Sequence, residues 1–187
     1  MKTSHIAISL CEDVMSELWL SLTGVPAEGR EYIYSDQSLW TENLRRFEIP
    51  VETTQPLSAT LFVQPQDKGV FVRGTLSGSL RIPCDRCAEP FELDLAHEFE
   101  LFEEVSPEDP AEASDLLRTA GGVLELDAAG LLWEQFVLAL PEHALCHPDC
   151  RGLCSTCGAN LNITACQCES EDGDPRLAVL RNLKINQ

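Results

Sequence analysis

The stretch LSATLFVQPQDKGVFVRGTLSGSLRIPCDRCAEPFELDLAHEFEL, residues 57–101, alternates apolar and polar side chains in three runs. Leu57, Ala59, Leu61 and Val63 share one face of the first run. Pro65-Gln66-Asp67-Lys68-Gly69 then turns the chain. In the second run Val70, Val72, Leu76, Leu80 and Ile82 share a face with Gly74 and Gly78, while Arg73, Thr75, Ser77, Ser79 and Arg81 take the other. The third sets Phe91, Leu93, Leu95, Phe99 and Leu101 against Glu92, Asp94, Glu98 and Glu100. A period of two over runs of this length predicts three half-buried antiparallel strands. His97 falls in phase with the apolar face and is expected to be a core or rim histidine.

On the N-terminal side the pattern is weaker. Glu17 to Leu22 is consistent with a short strand, and Val25 to Gly29 is turn material. Asp36 to Phe47 predicts an amphipathic helix capped by Ser35 or Asp36, with Leu39, Trp40, Leu44 and Phe47 on its apolar side. On the C-terminal side, residues 103–120 are acidic and aperiodic and are expected to form a solvated loop. Val123 to Leu126 predicts one more strand. Asp127 then caps a helix that Pro141 ends, apolar over most of its surface and expected to pack across the sheet. The fold expected is α+β: an antiparallel sheet body packed by one apolar helix over residues 1–143, with a zinc-stapled appendage over 144–187.

Nine cysteines in 187 residues need explaining. The N-terminus lacks the apolar core of a signal peptide and no stretch is long enough to span a membrane, so the cytoplasm is the expected compartment. A reducing compartment disfavours disulfides and turns close cysteine pairs towards metal or redox chemistry. Cys11 stands alone in an apolar run and reads as a buried, inert thiol. The other eight form four close pairs: Cys84-x2-Cys87 between the two best strands, then Cys146-x3-Cys150, Cys154-x2-Cys157 and Cys166-x-Cys168.

Eight thiolates fill two tetrahedral four-cysteine zinc sites without remainder. The expected assignment places Cys154, Cys157, Cys166 and Cys168 in a local site. Cys84 and Cys87 would join Cys146 and Cys150, clipping the tail to the sheet. Open alternatives are one zinc with spare cysteines, an Fe–S cluster or a redox pair, with His143 or His147 replacing a thiolate. The βαβ setting of a redox C-x-x-C and ferredoxin spacing are both missing. So are a P-loop, a dinucleotide fingerprint, G-x-S-x-G and H-E-x-x-H, and no catalytic residue or small-molecule substrate is expected.

The tail from Cys146 to Asn162, CHPDCRGLCSTCGANLN, together with the closing Asp174-Pro175-Arg176-Leu177-Ala178-Val179-Leu180, resembles the bacterial YceD family of large ribosomal RNA subunit accumulation proteins. The strand–C-x2-C–strand of Ser79 to Leu95 and the apolar helix before Pro141 are similar to its body. Ser155 stands where that family commonly has proline. The resemblance implies a non-catalytic factor supporting synthesis, processing or stability of 23S rRNA. A redox or Fe–S protein is the competing class, and a zinc-ribbon transcription module is a third.

Charge bears on the partner. The chain carries −18, and between Ala88 and His143 fifteen carboxylates face one base, Arg118. Such a surface repels phosphate backbones and attracts basic proteins. Two mechanisms compete within the role the resemblance implies. In one, favoured by the charge count, the acidic 88–143 segment with Glu92, Asp94 and Glu98 on its outward face holds a basic large-subunit ribosomal protein. In the other, Arg86, Arg151, Arg176, Arg181 and Lys184 touch a 23S rRNA precursor.

Overall fold

The computed structural model describes residues 18–105 and 114–168. Cys11, the acidic stretch 106–113, the closing segment 174–180 and the cations Arg176, Arg181 and Lys184 lie outside them. The elements run β1 (Trp19–Ser21), β2 (Arg30–Tyr34), α1 (Ser38–Arg46), β3 (Glu52–Gln66), β4 (Gly69–Pro83), β5 (Pro90–Glu104), β6 (Leu117–Ala120), β7 (Val123–Asp127) and α2 (Ala128–Ala139). All strand pairs are antiparallel, and two helices accompany them, an α+β arrangement.

The three alternating runs become β3, β4 and β5, each of 15 residues. β4 and β5 pair without a register break from Gly69↔Glu104 to Pro83↔Pro90. Their phase is the expected one: Leu57, Leu61, Val63, Val70, Val72 and Leu80 are fully buried, and Glu92, Asp94, Glu98 and Glu100 are exposed. His97 sits at the rim, its Nε2 3.2 Å from Gln135 Oε1 on α2.

Three features depart from the expectation. The strands form two sheets rather than one, ordered β2-β3-β4-β5 and β1-β7-β6. The expected loop over 103–120 ends in β6, which makes a hairpin with β7 through Gly121-Gly122. Here Leu116 is buried and its carbonyl accepts from Asp127 N–H at 2.8 Å. β2 also adds to the long sheet, Tyr32 opposite Leu61, with Tyr32 and Tyr34 packed against the core and Glu31 and Ile33 exposed.

Helix α2 joins the two sheets. Asp127 accepts from Gly130 N–H at 2.9 Å, as an N-cap does, and the helix ends before Pro141. Leu131, Leu132 and Phe136 are fully buried. Phe136 meets Trp40 of α1 at 5.6 Å between ring centroids. The N-terminus of α1 is held by its N-cap residue Gln37, whose side-chain oxygen accepts from Leu57 N–H at 3.0 Å while its amide donates to Leu57 O at 2.8 Å. Those Leu57 groups lie where the β3–β4 register shifts, so Gln37 satisfies backbone that the ladder leaves unpaired. Among the described residues no helix is long and apolar enough to cross a membrane.

Candidate metal centres

The β4–β5 hairpin ends in Cys84-Asp85-Arg86-Cys87. Ala88 N–H bonds to Cys84 O at 2.8 Å, and Cys84 N–H bonds to Glu89 O at 3.0 Å. The tail builds the same knuckle from Cys154-Ser155-Thr156-Cys157. There Gly158 N–H bonds to Cys154 O at 2.9 Å and Cys154 N–H to Ala159 O at 2.8 Å, with Leu153 bridged to Asn160 as Pro83 pairs with Pro90. The residue after the second cysteine takes a left-handed backbone in both, φ +72° at Gly158 and φ +59° at Ala88. Glycine is at ease there and alanine is strained by about 1 kcal/mol. Ala88→Gly is accordingly expected to raise the melting temperature by a few degrees without changing metal content, read by thermal denaturation and metal analysis of the same sample.

The structure brings the eight cysteines into two groups of four, Cys84, Cys87, Cys146, Cys150 and Cys154, Cys157, Cys166, Cys168. Within each group the ligand atoms lie within 4.8 Å of one another. Neighbouring sulfurs stand at 3.8 Å (Cys84–Cys150 and Cys87–Cys146), 3.5 Å (Cys157–Cys166) and 3.3 Å (Cys154–Cys166). All eight are free thiols. His143 and His147 are exposed and belong to neither group.

Backbone amides converge on the sulfurs, as the knuckle geometry requires. Burial raises the Cys84 thiol, but N–H groups of Cys146, Cys87 and Arg86 outweigh it and bring the thiol down to about 6. N–H groups of Cys157 and Thr156 lower Cys154 to about 6 as well. Their neighbours move the other way. Cys146 is pushed up to about 12 by burial and then by the adjacent cysteines, and Cys168 to about 12 by its contacts with Cys166 and Cys157. The crowding of four thiols opposes ionising all of them together. A divalent cation at the centre resolves the conflict, and each group could hold one metal ion.

The two groups differ in burial. Cys84, Cys87 and Cys150 are each at most 3% exposed, whereas Cys157 and Cys168 face solvent. The first group also ties the tail to the body. Asp85 N–H bonds to Ala144 O at 2.8 Å, and Ala144 N–H returns to Asp85 Oδ2 at 2.7 Å. Arg86 Nη1 donates to Cys150 O at 3.0 Å, while Arg86 O accepts from Leu153 N–H at 3.0 Å. Gly152 has φ +72°, and a Cβ there would stand 3.0 Å from Arg86 O, so glycine permits this approach. Asn162 links the two halves of the tail. Its Nδ2 donates to Cys150 Sγ at 3.3 Å, and its Oδ1 accepts from Arg151 N–H at 2.8 Å. No spacing rule picks out Asn162 or Asp85, whose roles depend on the folded tail.

The two charge-bearing surfaces proposed from the sequence are placed differently. Glu92, Asp94 and Glu98 line the solvent face of β5, with Asp94 accepting from Ser79 Oγ at 2.9 Å and Glu92 3.7 Å from Arg81. Arg86 and Arg151 are both exposed, and Nη1 of Arg86 donates to the tail carbonyls of Pro148 and Cys150.

Paired cysteine knuckles at the end of a long hairpin and in the tail that docks on it define an α+β scaffold with two four-cysteine centres. The chain belongs to the YceD family, whose model, described as large ribosomal RNA subunit accumulation protein YceD, matches residues 72–184. That span contains all eight clustered cysteines. The chain is 24% identical over 156 residues to the chloroplastic large ribosomal RNA subunit accumulation protein YCED homolog 1 of Arabidopsis thaliana, covering 69% of this chain and 49% of that protein. The Zea mays homolog 1 is 44% identical over 46 residues, 24% of this chain and 16% of its own length. An uncharacterized protein of Mycobacterium bovis is 27% identical over 136 residues, 71% of this chain and 64% of its own. The chain thus spans about half the length of the Arabidopsis relative. No solved structure matches.

Proposed function

We propose that this protein is a non-catalytic zinc-binding factor in large ribosomal subunit biogenesis, supporting synthesis, processing or stability of 23S rRNA in the cytoplasm. The observation that carries the reading is the family match across the span that holds both cysteine groups. Zinc is favoured by size. A tetrahedron with Zn–S bonds of about 2.3 Å has sulfurs about 3.8 Å apart, close to the separations of 3.3–3.8 Å. A multinuclear iron–sulfur cluster spreads its cysteines over several metal atoms and needs them farther apart. A closed four-thiolate shell leaves no position for an activated water, which supports a structural role.

For the partner, we favour a basic large-subunit ribosomal protein held on the acidic face of β5. The outward position of Glu92, Asp94 and Glu98 supports this, as does the excess of fifteen carboxylates over one base between Ala88 and His143. Changing these three acids together to Lys is expected to abolish most capture of ribosomal proteins in affinity purification from growing cells. The fold should persist because all three side chains are solvated. Added salt should weaken the wild-type interaction. Undiminished capture by the triple variant would contradict the protein-holding reading and favour 23S rRNA as the direct partner through Arg151.

A further inference from the structure

Strand β5 ends the order β2-β3-β4-β5, so among the described residues one side of it carries no partner strand. The ladder fixes which residues face that side. Val105 N–H bonds to Lys68 O and Cys84 N–H to Glu89 O at the two ends, and no register shift intervenes. Hydrogen-bonded pairs alternate along an antiparallel ladder, so the odd-numbered residues of β5 turn their backbone groups to β4. Glu92, Asp94, Ala96, Glu98, Glu100 and Phe102 turn theirs to the open edge. All six are exposed, and among the described residues no backbone bond is made to any of them outside the ladder. The edge therefore offers alternating donors and acceptors, and the residues that offer them carry the acids of the outer face.

Protein edges are ordinarily blunted by short length, bulges, proline or lysine. The opposite edge, β2, is only five residues long. β5 has 15 residues, no register break, no lysine, and no proline after Pro90. Its only protection is negative charge, which excludes a second copy of the same edge by placing acid against acid. The same charge complements a basic strand. Beneath the edge the surface is apolar: Phe91, Leu93 and Leu101 are only half-buried. Leu138, one turn beyond the Gln135 that meets His97 and so on the same side of α2, is 70% exposed.

We propose that the open edge of β5 receives an added strand from a basic protein segment that alternates Lys or Arg with apolar residues. Backbone groups of Glu92 to Phe102 bind its main chain, the acids hold its cations on the outer face, and its apolar side chains lie over Leu93, Leu101 and α2. This is β-strand addition with specificity from alternate side chains. It rests on the reading that the acidic face takes a basic protein, and it specifies how.

The test uses the full-length protein and an alternating Lys–Val peptide long enough to span Glu92–Phe102. A second peptide of the same sequence is N-methylated at the amides that would face β5. The first should bind and slow hydrogen exchange at the amides of Asp94, Ala96, Glu98 and Glu100. The second should bind about tenfold or more weakly, because it keeps every charge but loses ladder donors. Ala96→Pro, which removes one outward N–H that the β4 ladder does not use, should weaken the first peptide and leave the second unaffected. Equal binding of both peptides without amide protection overturns strand addition and leaves charge attraction standing. Failure of the unmodified peptide to bind at low salt overturns both strand addition and the acidic-face reading beneath it. Protection of those amides before any peptide is added shows the edge taken by the chain itself and overturns the proposal.

Discussion

Cys84→Ser is expected to remove one of two bound metal ions and to release the segment beyond Ala144 from the hairpin tip. Cys84 is 2% exposed and stands 3.8 Å from Cys150, so a serine there leaves Cys87, Cys146 and Cys150 without their fourth ligand. Structural zinc sites supply binding free energies of order 10 kcal/mol, comparable with the whole stability of a small domain. The remaining tethers, between Asp85 and Ala144, from Arg86 to Cys150 and from Leu153 to Arg86, are hydrogen bonds worth about 1 kcal/mol each. They cannot hold the tail alone. Limited proteolysis should cut the variant between body and tail, with the second four-cysteine group still loaded. Cys154→Ser should do the reverse, emptying the local group and loosening residues 151–168 while Ala144 to Cys150 stay docked. Loss of the same single ion from both variants would contradict the division into two groups.

Phe136→Ala is expected to cost about 3–5 kcal/mol, enough to bring a marginally stable domain close to unfolding. The ring is fully buried, tilted against Trp40 at 5.6 Å and stacked on Trp133 at 5.3 Å. Its removal opens a cavity where α2 meets α1. Leu138→Ala on the same helix should change stability by less than about 0.5 kcal/mol, since that side chain is 70% exposed. Urea unfolding of the two variants distinguishes a helix packed as described from one turned about its axis, which would exchange the two effects.

The long strands were legible because period-two alternation persists over many residues in each, and the hairpin tip because a C-x2-C interrupts it. Asp127 and Pro141 marked α2 by capping and termination chemistry. What stayed hidden is short or non-local. β2 and β6 have five and four residues, too few to show a period. The division into two sheets depends on β1 pairing with β7, more than a hundred residues away in the chain. Gln37 reads as an ordinary polar residue and acquires its role only beside the register shift at Leu57. The four-plus-four grouping of the cysteines was one assignment among several that spacing and ligand count left open, and the fold brings those groups together. The repetition of one knuckle was not legible, because Ala88 and Gly158 differ in sequence and are equivalent only in backbone conformation. The acidic residues of β5 were read as an outward face, but their backbone direction emerges only from the hydrogen-bond register.

Two closed four-thiolate zinc centres, as proposed, would join the tail to itself and to the sheet. Metal analysis of protein purified without added metal tests this most directly. The account predicts two zinc ions per chain in a colourless protein, with the solvent-facing group built on Cys157 and Cys168 yielding its ion to a chelator before the buried group does. A ratio of one zinc per chain, or visible absorbance from iron, would contradict it.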